Sequence, residues 1–282
     1  GTYGAVGFDF KSPHTGLAAK KAWFFFDKTY VCLGTNISSR MKNQVLTTVN
    51  QCLLNGEVTV SDADGIHPQE QGSRMKKEVR WVVHDKVGYY FLKKENVILS
   101  NQRIEGSWKI ANRQTTTPTD IIRQDVFTLS VDHGRSPNNG DYAYMVIPSA
   151  DPLSIEKQVE EEGVVILANC PEVQAVRHDG LNMAYAAFYK GGTLRIHDKI
   201  VVEMDSPGML MVKYNDAGEI LALGVSDPTR FMKKLHLSVN QKIVGAVQEN
   251  IQTEWDEKQA LTRISVELPQ NEYAGKSVIY NK

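Results

Sequence analysis

The residues able to carry chemistry are scattered along this chain rather than gathered. Its histidines are His14, His67, His84, His133, His178, His197 and His236, and none forms an HExxH or a close pair with metal-ligand spacing. His84-Asp85 and His197-Asp198 each have the composition of an acid–base pair. Neighbouring residues on a strand point to opposite faces, so neither pair is a dyad on this ground, and both read as surface histidines. Asp62 and Asp64 give a DxD beside a glycine, an opening for calcium. The rest of an EF-hand loop is missing, and a solvated turn is the expectation. Arg74, Lys76, Lys77 and Arg80 form a basic cluster that could face an anionic polymer, but a solvated loop is the expected reading. Trp108 can serve as a platform for a sugar ring; core packing is the expected role. No GxSxG and no P-loop occurs. The run Glu160-Glu161-Glu162 reads as the wet end of a helix. Cys32, Cys52 and Cys170 have no CxxC spacing, so zinc is not implied and buried free thiols are expected.

Composition sets the frame for these residues. The chain has 282 residues, 41% apolar and 23% charged, with a formal net charge of -1. A packed core is expected, and a globally basic nucleic-acid binder is disfavoured. The sequence has no run of 18 apolar residues, so no membrane span is expected. Its opening, GTYGAVGFDF, already reads as β-structure with no targeting segment, and the chain is expected to be cut from a longer polypeptide.

The strongest element is Lys20 to Ile37. Two apolar runs, Ala22–Phe26 and Thr29–Gly34, flank Asp27-Lys28 and predict a β-hairpin. Trp23, Phe24, Phe25 and Phe26 point to both faces of one strand, so both faces are expected to be covered. Further strands are predicted over 3–10, Val45–Leu54, Glu57–Val60, Val126–Val131 and Tyr142–Ile147. Asn55-Gly56 signals a hairpin turn, and a second hairpin is expected around Lys86-Val87-Gly88. Ser61–Arg80 reads as a polar loop, Asn112–Asp120 as a Thr-rich linker, and His133–Gly140 as a loop. Tyr142 and Tyr144 share a face and read as packing. One helix is predicted over Ser154–Glu162, capped by Asp151 and ended by Gly163, with Ile155 and Val159 on its buried face. Short strands follow at 174–177, 183–189, 199–204, 209–214, 220–225, 235–239, 261–268 and 277–280. Many short strands between turn clusters predict an all-β sandwich class. A boundary near 165–172 divides the chain into 1–167 and 168–282.

Several segments, in order, resemble one family: TYGAVGFDF, AKKAWFFFDKTYVCLGTNISS, TTVNQCLLNG, GSWKIAN, DHGRSPNNGDYAYMVIPSA, NCPEVQAVRHDGLNMAYAAFYKGG and VSDPTR. This order is similar to the C-terminal half of polysaccharide lyase family 8, the chondroitin, hyaluronan and xanthan lyases. The resemblance runs from Gly1 to about Arg230. It implies a large antiparallel β-sandwich region, a smaller C-terminal β-sandwich domain, and one short helix between them. It also implies an N-terminal α/α toroid in the parent protein, an acidic polysaccharide as substrate, and an extracellular or periplasmic location.

The implied reaction is β-elimination. A base removes the C5 proton of a uronic acid, its carboxylate is neutralised, and the C4–O bond breaks. In the family an Asn, a His, a Tyr and an Arg of the toroid do this, supported by a Glu from the start of the β-region. By position all of these precede Gly1. No catalytic residue is therefore carried onto this chain: Tyr3, Tyr89, Tyr90, Tyr142 and Tyr144 sit in no matching motif. No substrate-binding or metal-binding residue is assigned, and no cofactor is implied beyond an open question of structural calcium. The competing reading is a non-catalytic carbohydrate-binding or structural β-module. An adhesin-like sandwich has no motif in its favour.

Overall fold

The computed structural model describes residues 3–243 and 249–282; Gly1, and Thr2 that opens the first family-like segment, lie outside it. The chain opens with β1 (Gly4–Lys11), β2 (Ala18–Phe25) and β3 (Tyr30–Ser38), each antiparallel to the next. The predicted aromatic hairpin is β2–β3: Phe25 pairs Tyr30, and the Phe26 N–H donates to Thr29 O at 2.9 Å around Asp27-Lys28. Next come β4 (Gln44–Leu53), β5 (Val58–Asp62), β6 (Gly65–Pro68), β7 (Gly72–His84) and β8 (Val87–Gly106). A four-residue helix, α1 (Trp108–Ala111), leads towards β9 (Ile122–Arg135) and β10 (Gly140–Pro148). These ten strands form one sheet, ordered β1-β2-β3-β10-β8-β7-β5-β6, with β4 and β9 joined to it through β8.

That sheet folds back on itself. Val87–Phe91 of β8 pairs with β10, while Val97–Gly106 pairs with β9. One core fills the space between the two halves, with Cys32, Phe91, Tyr142 and Tyr144 facing Leu99, Phe127, Leu129 and Val131. Its opposite face, carrying Phe24, Leu33, Trp81, Ala143 and Met145, packs on a second sheet through Val176, Met183, Tyr185 and Ala187. Strand β10 shows why its sequence is apolar without a break: Tyr142, Tyr144 and Val146 enter one core, and Ala143, Met145 and Ile147 the other. The same holds for Trp23 and Phe24, but Phe25 is 39% exposed, so cover on that face is incomplete at the hairpin tip.

The predicted helix is α2 (Ile155–Glu162), with Gly163 at φ 60° ending it. Ser154, not Asp151, stands at its N-cap; the Asp151 carboxylate accepts the Leu153 N–H at 2.8 Å and shapes the turn before it. Ile155 is buried against Gly88, where a Cβ would meet its Cδ1 at 2.6 Å. The second sheet begins with β11 (Val164–Asn169), β12 (Val173–His178) and β13 (Met183–Phe188). The third begins with β14 (Gly192–His197) and β15 (Ile200–Met204). Strands β16 (Gly208–Tyr214) and β17 (Ile220–Ser226) return to the second, and β18 (Lys234–Val239), β19 (Ile251–Asp256) and β20 (Leu261–Glu267) complete the third. Finally β21 (Val278–Asn281) closes the second sheet beside β17. A third core lies between these two sheets, built from residues such as Phe188, Leu210 and Val212 on one side and Leu194, Val202 and Leu237 on the other. The architecture is all-β, a stack of antiparallel layers with one short helix wedged at the middle, as the sequence predicts.

Further local readings need correction. Ser61–Arg80 is not a loop but the end of β5, β6 and the first part of β7; most side chains of that part of β7 are exposed because it extends past the core while its backbone pairs with β8. Asn55-Gly56 turns the chain between layers rather than within a hairpin, since β4 pairs β9 and β5 pairs β7. The β7–β8 turn is Asp85-Lys86, at φ 47° and 62°, one step before the predicted position. Strands β14 and β19 were not anticipated; their alternating polar residues mark them as edges of the third sheet.

Candidate functional site

The five tyrosines are placed by the layers, and none has a lowered phenol pKa. Tyr142 and Tyr144 lie in the fold-back core with ring centroids 5.6 Å apart, and burial raises both phenols far above their ordinary value. The Tyr89 hydroxyl accepts an N–H of Asn50, and burial pushes its phenol up to about 12. Tyr90 donates to Glu156 at 3.3 Å and is raised by burial and then by that carboxylate. Tyr3 is raised by desolvation and by Asp27, to which it donates at 3.4 Å. Each shift favours the neutral phenol, the opposite of what a phenolate base requires.

His84 is not on the surface. Its ring stacks on Phe127 with centroids 4.3 Å apart, and its Nε2 accepts the Asn55 N–H at 3.1 Å. Burial holds its pKa below the ordinary histidine value. Asp85 instead accepts from the Asn55 side chain at 2.9 Å, so the two residues form no dyad. His197 Nδ1 accepts the Lys199 N–H at 3.3 Å within the β14–β15 turn, and its ring lies 5.7 Å from Tyr214. Of the thiols only Cys32 is fully buried, and burial pushes it up to about 12; Cys52 and Cys170 are free but half-buried.

Asp62 is not a solvated turn residue either, with a side chain only 4% exposed. Lys76 Nζ lies 3.3 Å from Oδ2, while His67 Nε2 and the Asp64 N–H lie 3.1 and 3.0 Å from Oδ1. Burial alone would raise this carboxyl; His67, the Asp64 N–H and Lys76 outweigh it and hold the pKa below its ordinary value. A cation would find that carboxylate already committed. The basic cluster divides in the same way. Arg74 pairs with Glu70 at 2.7 Å, Lys76 with Asp62, and Arg80 with Glu156 at 3.2 Å while lying 5.3 Å over the Tyr90 ring. Lys77 is exposed between them.

Trp108 is not in the core. It opens α1 at the tip of the β8–β9 ribbon, where Ser107 Oγ accepts the Lys109 N–H at 3.2 Å, and it is 61% exposed. Ile104, Ile110, Ile121 and Ile122 are exposed at the same tip, because the ribbon runs past the layer that would cover it. An indole among isoleucines offers a surface for the apolar face of a sugar ring or for another protein surface.

The family-like segments meet elsewhere, at the joint between the first and second sheets. Gly34 of LGTNI lies directly beneath the Tyr142 ring of GDYAYMVIP and leaves no room for a Cβ. Asn169 of NCPEVQAV donates to Gly34 O at 3.1 Å and to Tyr142 O at 3.2 Å. Gln174 donates to Asn169 Oδ1 at 2.8 Å, and its Oε1 lies 2.8 Å from the Tyr189 hydroxyl. Lys20 Nζ donates to Pro171 O at 2.7 Å and sits 4.5 Å over the Tyr189 ring.

A family model described as polysaccharide lyase family 8, super-sandwich domain, matches residues 1–159. The chain belongs to this family. The family's C-terminal beta-sandwich domain matches residues 165–236. Chondroitinase-AC of Pedobacter heparinus is 33% identical over 278 residues, which cover 99% of this chain and 37% of the relative. Xanthan lyase of a Bacillus species is 27% identical, over 82% of this chain and 25% of the relative. Hyaluronate lyase of Thermasporomyces composti is 29% identical, over 88% and 31%. A solved structure of chondroitinase AC lyase in oligosaccharide complexes superposes with a TM-score of 0.83 at 34% identity, covering 99% of this chain and 38% of that one. Xanthan lyase of Paenibacillus shares the fold with a TM-score of 0.85 over 98% of this chain and 27% of that one. The family is enzymatic, and this chain spans about a third of the length of these relatives.

Proposed function

We propose that this chain is the β-sandwich portion, residues 1–167 and 168–282, of a glycosaminoglycan lyase that cleaves chondroitin- or hyaluronan-type polymers by β-elimination. The catalytic groups come from a helical toroid of the same parent protein, this chain contributes none of them, and no cofactor takes part. The observation that carries this reading is a similarity running over 99% of the chain yet only 37% of the chondroitinase. The upward-shifted phenols support it, since C5 proton abstraction needs a base poised near working pH and a group that stabilises the developing charge. Such polymers lie outside the cytoplasm, so the parent works extracellularly or in the periplasm. Among the described residues no helix is long and apolar enough to cross a membrane.

The test is to supply chondroitin sulfate and hyaluronan to the purified chain and to the parent with its toroid, and to follow the ultraviolet absorbance of unsaturated uronate. Product is expected from the parent alone; turnover by the isolated chain would overturn the assignment of catalysis. The exposed Trp108 tip keeps a second reading in view, a non-catalytic carbohydrate-binding module, which a parent lacking any toroid would favour.

A further inference from the structure

We propose that three turns at one end of the first sheet form a binding cleft for the sulfate or carboxylate group of an acidic sugar polymer. The proposal deepens the function above and takes the ligand class from it; the cleft itself stands on the geometry. The turns between β1 and β2, β3 and β4, and β9 and β10 converge because β1, β2, β3 and β10 are neighbours in the sheet. Two of them are tied together: the Ser39 N–H donates to Pro137 O at 3.0 Å, and Ser136 Oγ donates to Met41 O at 2.9 Å. Arg135 reinforces the tie by donating to Lys42 O at 3.0 Å. Ser136 and Asn139 sit at φ 49° and 62°, a conformation that costs free energy and that these contacts hold in place.

The cleft encloses about 570 Å³, and its polar lining includes Lys11, Ser12, Ser38, Ser39, Arg40 and Asn138. It holds two cations and no carboxylate. The acids nearby in sequence are engaged elsewhere: Asp9 lies 3.9 Å from Lys20, Asp132 accepts the Gly134 N–H at 2.9 Å, and Asp141 pairs with Lys93. Among the described residues neither Lys11 nor Arg40 joins an ion pair, in a chain whose formal net charge is -1. A guanidinium grips two oxygens of a planar or tetrahedral anion in a fork, an ammonium adds a point charge, and hydroxyl and amide donors take the remaining oxygens. Leu17, Ala18 and Pro137 give a sugar ring an apolar floor. No aromatic side chain lines the cleft, so stacking of a nucleobase has no platform here.

The test uses the full 282-residue chain and titration calorimetry with hexasaccharides of chondroitin sulfate and of hyaluronan. The double variant Lys11→Gln/Arg40→Gln is expected to bind at least ~10-fold more weakly than the unaltered chain, and its affinity should depend less on salt. Both side chains are exposed, so folding is expected to be unaffected. Lys233→Gln/Lys258→Gln removes the same charge from exposed positions beside the third sheet, outside the cleft lining, and is expected to change nothing. Equal binding of both sugars assigns the carboxylate as the recognised group; binding of chondroitin sulfate alone assigns the sulfate. Three results would each overturn the cleft: no binding of either sugar, binding unaffected by Lys11→Gln/Arg40→Gln, or an equal loss in the control double variant. A parent that makes unsaturated uronate while Lys11→Gln/Arg40→Gln binds normally sinks the cleft alone. Sugar binding lost in that variant, with no elimination by the parent, sinks the lyase reading alone.

Discussion

At Gly34 the space belongs to the Tyr142 ring, and any Cβ would collide with it. Both residues are buried where two layers meet, so neither can move aside cheaply. Gly34→Ala is expected to lower unfolding stability by about 2–3 kcal/mol, read as a fall in urea midpoint at unchanged slope. Glu95 offers a test of another kind. It faces Lys93 at 4.0 Å, its Oε1 has no hydrogen-bond partner, and burial, only partly offset by Lys93, pushes its carboxyl up to about 7. A raised carboxyl binds its proton more tightly in the folded state, so stability is lost as pH rises from the unfolded value, about 4.5, through about 7. Glu95→Gln is therefore expected to stabilise the protein at pH 8 by roughly 1 kcal/mol, after allowance for screening, and to give no gain below about pH 4. Thermal melts across that range check it; a gain at low pH instead would contradict the sign. Little of this was visible in the sequence. That Tyr142 and Tyr144 share a face follows from strand period alone, whereas the burial of His84 depends on Phe127, brought to it by another layer.

Elements were legible where one residue pattern dictates one structure. The β2–β3 hairpin carries aromatic and β-branched residues around a polar pair, and α2 carries an apolar i, i+4 pair, buried Ile155 and half-buried Val159, ended by a left-handed glycine. Legibility failed where backbone pairing and side-chain polarity part company. The first half of β7 bonds to β8 from Gly72 to Lys76, yet its side chains face water, so composition mimics a loop. Trp108 misleads in the opposite sense: an indole ordinarily signals a core, but here it sits at a ribbon tip that runs past the covering layer. The cleft of Lys11 and Arg40 escaped for a third reason. The His133–Gly140 loop was recognisable alone, while its convergence with the turns that carry Lys11 and Arg40 is set by the strand order, which no local pattern encodes.

For the whole molecule, the segments that make the family recognisable turn out to hold the sheets together. Gly34, Tyr142, Asn169 and Gln174 come from three separate motifs and meet at one joint. Asn169→Ala leaves two backbone carbonyls without that donor, at a cost of about 1–3 kcal/mol. Because the loss sits between the sheets, the urea transition is expected to broaden or split, with the second and third sheets unfolding apart from the first; a sharp single transition at the original midpoint would refute this role. The strand shared by both halves of the first sheet has a further consequence for synthesis. As the chain leaves the ribosome, β8 can bond to β7 at once, but its other edge is reserved for β9 and β10, and β3 also waits for β10. Until Pro148 has emerged, the nascent chain carries bare strand edges flanked by aromatic side chains, and that interval is when it is most exposed to aggregation and most dependent on chaperones.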